Sequence, residues 1–237
     1  MLFVKTSSKS SYPILFFHGL FGSHEEGLFL CRSSYLSPYL IDLPGHGRTA
    51  RQASLQDIQD YAEGLHVPFH CIGYSLGGRV AQKIAHHPLC QSLTLISSQT
   101  LFTHEEKIEK MQQEATIQES LKMQELPDFF DTWYRAPLFC SLRRNKRLYE
   151  RTLSRRLQQN KEALVFGIQE LSLEKLCSPL PNCPILGLYG RLDAKYQKLY
   201  TKLPETIQIV SVEQAGHALH LENPRRCLEL IEQFIGI

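Results

Sequence analysis

The segment 73–77, which reads Gly-Tyr-Ser-Leu-Gly, constrains the fold more than any other feature of this sequence. The apolar run Phe69–Gly73 predicts a buried strand, and the residues after Ser75 predict a helix from about Leu76 to Pro88. A strand that turns sharply into a helix strains the middle residue and holds its hydroxyl in solvent. Glycines on either side remove Cβ atoms that would collide in this turn. A chance Gly-Ser loop explains this context less well than a nucleophilic serine does.

Short apolar runs alternate with helical patterns along most of the chain. The predicted strands are 14–18, 39–42, 69–73, 92–96, 184–189 and 207–212. Ser54, with Asp57 three residues later, predicts the start of one helix, and an amphipathic pattern predicts another over 223–235. This alternation predicts an α/β fold with a mostly parallel sheet and helices on both of its faces.

The segment from about 103 to 172 breaks the alternation. It reads as one helix after another and is rich in Glu, Gln, Lys and Arg. We interpret it as a helical cap inserted between two sheet strands of a single domain that spans 1–237, although the length alone would also allow two domains.

Composition excludes several classes of function. A net charge of +2 gives no global reason to expect nucleic acid or a membrane surface as a partner. The seven cysteines are scattered without a C-x-x-C pair, which argues against a zinc site and fits reduced thiols in a cytoplasmic protein. The apolar stretch 14–17 is too short to span a bilayer, and we expect no signal peptide.

A serine hydroxyl is a weak nucleophile until a base takes its proton. His217 lies just beyond the predicted strand 207–212, and Asp193 follows the strand that ends near Gly190. The order serine, aspartate, histidine is the one required after a strand–turn–helix nucleophile, and the carboxylate would fix the imidazole tautomer. Each residue alone is more simply a turn or loop residue. His220 is the second candidate for the base.

The segment 18–22, His-Gly-Leu-Phe-Gly, follows the first long strand. An oxyanion hole in this arrangement uses the N–H after the nucleophile and one from this earlier loop. Leu76 and Leu20 are therefore the predicted donors, with Phe21 in reserve. The simpler interpretation of the segment is a tight turn.

Basic residues concentrate in the region predicted to cover the serine. Between 135 and 161 there are nine of them and a single acidic residue, and most are expected on a solvated helical face. Arg156 differs because it flanks the apolar stripe of its helix, so it is expected to reach inward over Ser75. Arg151 and Arg155 are expected to point outward.

Two further cations are placed near the serine by the sequence. Arg79 lies one helical turn after Ser75, where a guanidinium would grip a carboxylate, although a surface arginine is an equal alternative on spacing. Lys195 follows Asp193. Several cations converging on a serine predict a small anionic substrate with more than one carboxylate.

Six segments form a pattern that extends over nearly the whole chain: 18–22, 42–47, 73–80, 131–134 with 137–139, 190–196, and Gly216-His217 with His220 and 222–224. Taken together, they resemble a known family, the succinyl-hydroxycyclohexadiene-carboxylate synthases of menaquinone biosynthesis, in the α/β-hydrolase superfamily. The Gly-Gly-Arg after Ser75, the Trp-Tyr pair and the Asp-x-Lys-Tyr loop are the most specific parts of this pattern.

The resemblance implies an α/β-hydrolase fold and a carbon–oxygen lyase. Such an enzyme eliminates pyruvate from 2-succinyl-5-enolpyruvyl-6-hydroxy-3-cyclohexene-1-carboxylate and gives 2-succinyl-6-hydroxy-2,4-cyclohexadiene-1-carboxylate. Ser75, backed by His217, would then abstract a proton. No metal or organic cofactor is implied. The residues implied to bind substrate carboxylates and ring are Tyr74, Arg79, Trp133, Tyr134, Arg156 and Lys195.

The sequence also departs from the family. The family usually has arginines on the first cap helix, where this chain offers Lys107 and Lys110, and Ala194 stands where serine is common. The short N-terminus predicts abbreviated opening strands. A carboxylesterase, thioesterase or carbon–carbon bond hydrolase with the same three catalytic residues is the main alternative. A non-catalytic binding module is the third hypothesis. The oligomeric state stays open.

Overall fold

The sheet is built from seven strands in a computed structural model that describes residues 1–7 and 12–237. The strands lie in the spatial order β1-β3-β2-β4-β5-β6-β7, and β1 runs antiparallel to β3 while the other neighbours are parallel. Their bounds are β1 Val4–Thr6, β2 Tyr12–Phe17, β3 Leu36–Ile41, β4 Phe69–Tyr74, β5 Cys90–Ile96, β6 Ile185–Gly190 and β7 Ile207–Val212.

The α-helices fall into those that follow sheet strands and a group, α3 to α8, that lies between β5 and β6. We call this group the helical segment 104–176. Three 3-10 helices span His24–Gly27, Leu30–Arg32 and Pro137–Phe139. The α-helices are α1 Leu55–Glu63, α2 Leu76–Ile84, α3 His104–Met123, α4 Leu126–Tyr134, α5 Cys140–Arg144, α6 Lys146–Leu157, α7 Lys161–Glu170, α8 Leu173–Leu176, α9 Ala194–Tyr200, α10 Leu219–Glu222 and α11 Pro224–Ile235.

The predicted fold class is confirmed, and the element boundaries show where sequence patterns fall short. Strand β7 matches its predicted range. Helix α2 ends at Ile84 rather than near Pro88, and a tight turn follows in which His87 N donates to Ile84 O at 3.0 Å. Strand β1 has three residues, too few to show a pattern, and exists because Val4 pairs with Ile41 of β3. Helix α9 was not predicted.

Local capping fixes where several helices start. The Ser54 side chain accepts a hydrogen bond from the backbone N–H of Asp57, and the Asp57 carboxylate accepts one from Ser54 N, which makes the predicted capping box of α1. Thr103 and Glu106 form the same arrangement at α3. These caps supply partners for backbone N–H groups that a helix start leaves free.

Apolar side chains cover both faces of the sheet. In β2, Leu15 and Phe17 pack into the core shared with α1 and α2, whereas Ile14 and Phe16 pack into the core shared with α11. A strand buried on both faces reads as a continuous apolar run, and this is why β2 was recognisable. A third apolar cluster consists of side chains from the helical segment together with Phe21 from outside it. The Phe21 ring packs edge-on against the Phe129 ring, with 5.3 Å between centroids.

Two other predictions concern the chain as a whole. No helix among the described residues is long and apolar enough to cross a membrane. The structure has a series of helices from His104 to Leu176 between β5 and β6. The division into a single domain over 1–237 with a cap over about 103–172 stays a prediction.

Candidate active site

The predicted catalytic residues follow three different strands of the parallel sheet. Ser75 comes directly after β4, Asp193 follows β6 by three residues, and His217 follows β7 by five. The carboxyl ends of parallel strands lie at one edge of the sheet, where ligand sites of such folds form. The sheet therefore gathers residues that are 142 positions apart in the case of Ser75 and His217.

Ser75 lies in a strained turn. Its φ is 51° and its ψ is −113°, a backbone region that residues with a side chain rarely adopt. A Cβ on Gly73 would lie 2.2 Å from the Gly77 carbonyl oxygen, and a Cβ on Gly77 would lie 2.1 Å from the Phe17 carbonyl oxygen. The Ser75 N–H donates to Ile96 O at 2.9 Å, so the strained turn is also anchored to β5.

The three side chains form a continuous hydrogen-bonding arrangement. His217 Nε2 lies 3.3 Å from Ser75 Oγ, and His217 Nδ1 lies 3.1 Å from Asp193 Oδ2. The second oxygen of Asp193 accepts the backbone N–H of Tyr196 at 3.1 Å and thereby caps α9. Both Asp193 and His217 are buried. One carboxylate thus starts a helix and orients the imidazole, which fits the base-and-orienter geometry.

Aromatic rings enclose the imidazole of His217. The ring centroids of Tyr196, Tyr74 and Phe139 lie 4.9, 5.3 and 6.1 Å from it. Packing of this kind locks the side-chain conformation of a catalytic group, which a precise proton transfer requires.

His220, the second candidate for the base, has a different environment. It is fully buried, and its ring contacts Tyr74 at 4.2 Å between centroids. Its Nε2 lies 4.0 Å from Glu26 Oε2, and burial lowers its pKa to about 4. Within the described residues no contact joins His220 to Ser75, whereas His217 is in hydrogen-bond reach.

The loop 18–22 holds one peptide group rigidly. The Gly19 carbonyl accepts hydrogen bonds from Gly22 N at 2.9 Å and from His18 Nδ1 at 2.8 Å. Because a peptide is planar and trans, the Leu20 N–H of the same group points the opposite way. Leu76 is the first residue of α2, so its N–H has no acceptor inside that helix. These two N–H groups are the predicted oxyanion donors.

The side chain of Phe21, the reserve donor, packs against the helical segment. It is fully buried among the aromatic rings of the helical segment, and its φ is 64°. Leu20 contributes to the wall of the cavity beside Ser75, and Phe21 is absent from that wall as the described residues define it.

A cavity of about 120 Å³ lies over Ser75. Its wall contains all the predicted substrate-binding and oxyanion residues and two of the three catalytic ones, Asp193 being behind His217. A second cavity, of about 240 Å³, shares the serine with the first. The predicted residues in the first wall are Leu20, Tyr74, Ser75, Leu76, Arg79, Trp133, Tyr134, Arg156, Lys195 and His217.

Both predicted arginines in this wall are paired with carboxylates. Arg79 Nη1 donates to Glu114 Oε1 at 2.8 Å, and the other oxygen of Glu114 accepts Leu173 N at 2.9 Å. Arg156 donates through Nη2 to Glu26 Oε1 and through Nε to Tyr134 Oη. Burial alone would lower the pKa of Arg156. Tyr134 and Glu26 outweigh burial and raise that pKa above its usual value, so the guanidinium stays charged.

Two lysines add charge without such partners. No ion pair is found for Lys110 or Lys195 in the described part of the chain, and both line both cavities. Burial, with Arg79 close by, lowers the pKa of Lys110 to about 8. Lys107, the alternative on the same helix, lines neither cavity.

Sequence reasoning gave no role to several residues of this wall, and three of them are polar or aromatic groups close to the proposed catalytic residues or to Arg79. Glu114 lies one helical turn after Lys110, a spacing that places both on one face of α3. Tyr196 lies in the first turn of the helix that Asp193 caps. Phe139 belongs to a segment that carried the family resemblance but had no role assigned to it. No group of side chains suited to holding a metal ion is found among residues 1–7 and 12–237.

The sequence is similar to those of known proteins along nearly its whole length. A family described as "Alpha/beta hydrolase family" matches residues 14–230. The 2-succinyl-6-hydroxy-2,4-cyclohexadiene-1-carboxylate synthase of Enterobacter sp. (strain 638) is 28% identical over 98% of this chain and 95% of its own length. A putative synthase of the same name from Bacillus subtilis (strain 168) is 30% identical over 95% of this chain and 91% of its length.

Solved structures show the same fold. The structure of MenH from S. aureus has a TM-score of 0.84 at 19% identity and covers 99% of this chain and 97% of its own. A malate-bound thermophilic esterase from Thermogutta terrifontis has a TM-score of 0.75 at 19% identity, with coverage of 99% and 92%. At this identity the likeness concerns the arrangement of the backbone.

Proposed function

This chain belongs to the alpha/beta hydrolase family, in its group of 2-succinyl-6-hydroxy-2,4-cyclohexadiene-1-carboxylate synthases, and from that premise we propose that it eliminates pyruvate from an enolpyruvyl-substituted cyclohexene carboxylate. It is an enzyme of this fold that acts on a small molecule.

The observation that carries the proposal is a nucleophile–base pair inside a cavity with four cationic side chains. Ser75 Oγ and His217 Nε2 lie 3.3 Å apart, and Arg79, Lys110, Arg156 and Lys195 line the same cavity. An esterase for simple lipids would favour an apolar wall around the serine. Cations in the wall support an anionic substrate, since a charge-assisted hydrogen bond to a carboxylate is about twice as strong as a neutral one.

In the proposed reaction Ser75 Oγ takes the ring proton next to the substrate ketone and passes its own proton to His217 Nε2. The imidazolium that results is stabilised by Asp193. The electron pair of the broken C–H bond moves onto the ketone oxygen, where the N–H groups of Leu20 and Leu76 stabilise the charge. Return of that pair through the ring breaks the C–O bond and expels the enolpyruvyl group as an enolate. The enolate takes the proton held by His217, and the resulting enol becomes pyruvate.

The remaining predicted residues would bind the substrate. Trp133 offers an aromatic wall for the ring, and Tyr74 and Tyr134 offer hydroxyl groups beside it. Arg79 uses one donor on Glu114 and keeps the others of its five for a substrate carboxylate. Lys110 and Lys195 lie on the side of the cavity that Arg79 shares, so we assign a carboxylate to this side.

The decisive experiment measures pyruvate release from the purified protein supplied with the menaquinone precursor, coupled to lactate dehydrogenase. We expect release that depends on Ser75 and His217. A wild-type protein that releases no pyruvate while turning over p-nitrophenyl esters efficiently would contradict the lyase assignment.

The second candidate is a hydrolase that uses the same residues on an anionic ester or thioester. Glu114 favours it, because a carboxylate in the wall reduces the positive charge available to a tricarboxylate. In that reaction Ser75 Oγ attacks the carbonyl carbon and His217 protonates the leaving group. Burst release of p-nitrophenol from an ester with an acidic acyl chain would support it. The cytoplasmic location predicted from the sequence stays a prediction.

A further inference from the structure

A buried carboxylate, Glu26, joins the oxyanion loop to the helical segment. It lies on the 3-10 helix His24–Gly27, and only 3% of its surface is exposed. Its Oε2 accepts the backbone N–H of Gly19 at 3.2 Å. Its Oε1 accepts a hydrogen bond from Arg156 Nη2, 130 positions away on α6. No other part of the predicted mechanism uses this residue.

The Arg156 guanidinium keeps Glu26 ionised. Burial alone would raise the pKa of Glu26, but the positive charge and hydrogen bond of Arg156 hold it below its usual value. A bare negative charge beside an oxyanion loop would oppose the charge that develops there. Pairing with Arg156 neutralises it, so the two residues belong together in any account of this site.

The position of Gly19 shows what the carboxylate does. Glu26 fixes the peptide group before Gly19 through its N–H, while His18 and Gly22 fix the one after it through its carbonyl. Burial lowers the pKa of His18, and its Nε2 accepts Leu43 N at 2.9 Å, so it stays neutral with its proton on Nδ1. Two consecutive peptide groups are thereby held, and the second contains the Leu20 N–H.

We propose that Glu26 is a positioning residue with two separable effects: it aims the Leu20 N–H through Gly19, and it holds the Arg156 guanidinium against the cavity. This inference rests on the roles proposed above for Leu20 and Arg156. It applies equally to the lyase and the hydrolase, because both need an oxyanion donor and an anion-binding arginine.

The chain contains a matched control for this pair. Glu25 and Arg155, one position earlier on the same two elements, form an ion pair at 2.8 Å. Their side chains are 37% and 27% exposed, against 3% and 8% for Glu26 and Arg156. Neither Glu25 nor Arg155 lines either cavity at the serine. Substitutions of Glu25 therefore change the same chemistry at a site that does not touch the loop.

Two substitutions separate the two effects. Glu26→Gln keeps an oxygen that accepts the Gly19 N–H but removes the charge that pairs with Arg156. Glu26→Ala removes both. The substrates are also a matched pair: p-nitrophenyl butyrate is neutral, and mono-p-nitrophenyl succinate carries a carboxylate on an acyl chain of the same length. The neutral ester reports on the oxyanion donor, and the anionic ester reports on Arg156 as well.

For Glu26→Gln we expect the KM of the succinate ester to rise about tenfold, as for a weakened charged hydrogen bond, with kcat on the butyrate ester within about threefold of wild type. For Glu26→Ala we expect kcat on both esters to fall about tenfold or more, a part of the loss seen when an oxyanion donor is removed outright. For Glu25→Gln and Glu25→Ala we expect kcat and KM on both esters to stay within about twofold of the wild-type values.

The proposal is overturned if Glu26→Ala leaves kcat on the butyrate ester unchanged, or if Glu26→Gln affects the two esters equally. It is also overturned if the Glu25 variants lose as much as the Glu26 variants. The melting temperature and the fraction of Ser75 labelled by a fluorophosphonate correct each rate for unfolded protein. If Glu26→Ala does not fold, Glu26→Gln alone decides.

The outcome is independent of the lyase assay. If neither ester is turned over, the rate of fluorophosphonate labelling of Ser75 replaces kcat, since it uses the same hydroxyl and the same N–H groups. Absence of pyruvate release with intact ester or labelling chemistry removes the lyase assignment and leaves the Glu26 test valid. A wild-type Ser75 that reacts with none of these reagents overturns both.

Discussion

The carboxyl edge of the sheet and the helical segment 104–176 both supply the wall of the cavity over Ser75, but they hold their residues by different means. At the sheet edge the backbone itself sets the positions. Ser75 is strained at φ 51°, and a Cβ on Gly73 or Gly77 would collide with a backbone carbonyl oxygen. Asp193 is fixed because it also caps α9.

In the helical segment, side-chain partners set the positions. Helix α3 is mostly exposed, and Glu114 connects it to Arg79 of α2 and to the start of α8. Arg156 on α6 is held by Glu26 from the other end of the chain. A substitution that disturbs the backbone at the sheet edge displaces the serine turn itself. In the helical segment, a substitution of one charged side chain removes a single ion pair and leaves the backbone in place. Catalytic power and substrate binding should therefore respond differently to substitution.

The largest expected effect is at the sheet edge. Ser75→Ala should lower turnover by about 10⁴-fold or more with any substrate, because members of a catalytic unit act together. Pyruvate release and ester hydrolysis measure it, with circular dichroism to check the fold. Retained function would instead favour the non-catalytic binding module and remove the basis for contrasting the two regions.

The backbone constraint is tested by Gly77→Ala. Its Cβ would meet the carbonyl oxygens of Phe17 and His18 at 2.1 and 2.4 Å, neither of which is a flexible side chain. We expect the free energy of unfolding in urea to fall by about 1–3 kcal/mol, as for other overpacked sites. Gly64→Ala is the control, since its nearest atoms lie 3.5 Å away and its φ is −71°. An equal fall in the free energy of unfolding for Gly77→Ala and Gly64→Ala would contradict the inference that close backbone packing fixes the serine turn.

The ion-pair region is tested by Arg79→Gln. The change removes a charged donor from the cavity and leaves the Glu114 carboxylate facing the substrate, so KM for an anionic substrate should rise by roughly 10- to 100-fold. A neutral ester should be much less affected. Arg135→Gln, which breaks an exposed ion pair with Asp131, serves as the control and should change KM by less than about twofold. Equal losses on neutral and anionic substrates would contradict a binding role.

The smallest expected effect is a pH dependence from Lys110, whose neighbours in the cavity are Arg79, Glu114 and Lys195. Its ammonium is charged below pH 8 and neutral above it. The value of kcat/KM for an anionic substrate should therefore fall by about fivefold as pH rises from 7 to 9. Lys110→Arg should abolish this fall, and Lys107→Arg should not. A fall of the same size with a neutral ester would point to another group.

Much of the site could be predicted because its signals are local. The elbow at Ser75 shows in five consecutive residues, and the positions of Asp193 and His217 follow from the strands that precede them. The side of α6 that faces inward was also predictable. At 3.6 residues per turn, consecutive side chains point in directions roughly 100° apart, so Arg156 is buried while Arg155 is partly exposed. Helix α9 and strand β1 were missed because seven and three residues carry too little periodicity.

The sequence by itself determined six of the seven strands and the strained serine turn, because each depends on neighbours within a few positions. Only the tertiary structure decided which charges are free. Glu26 and Glu114 meet their arginines across 130 and 35 positions, respectively, and nothing local in the chain marks either carboxylate as a partner. A long-range ion pair exists only once packing has removed water from both groups, so the charge presented to a substrate is a property of the fold.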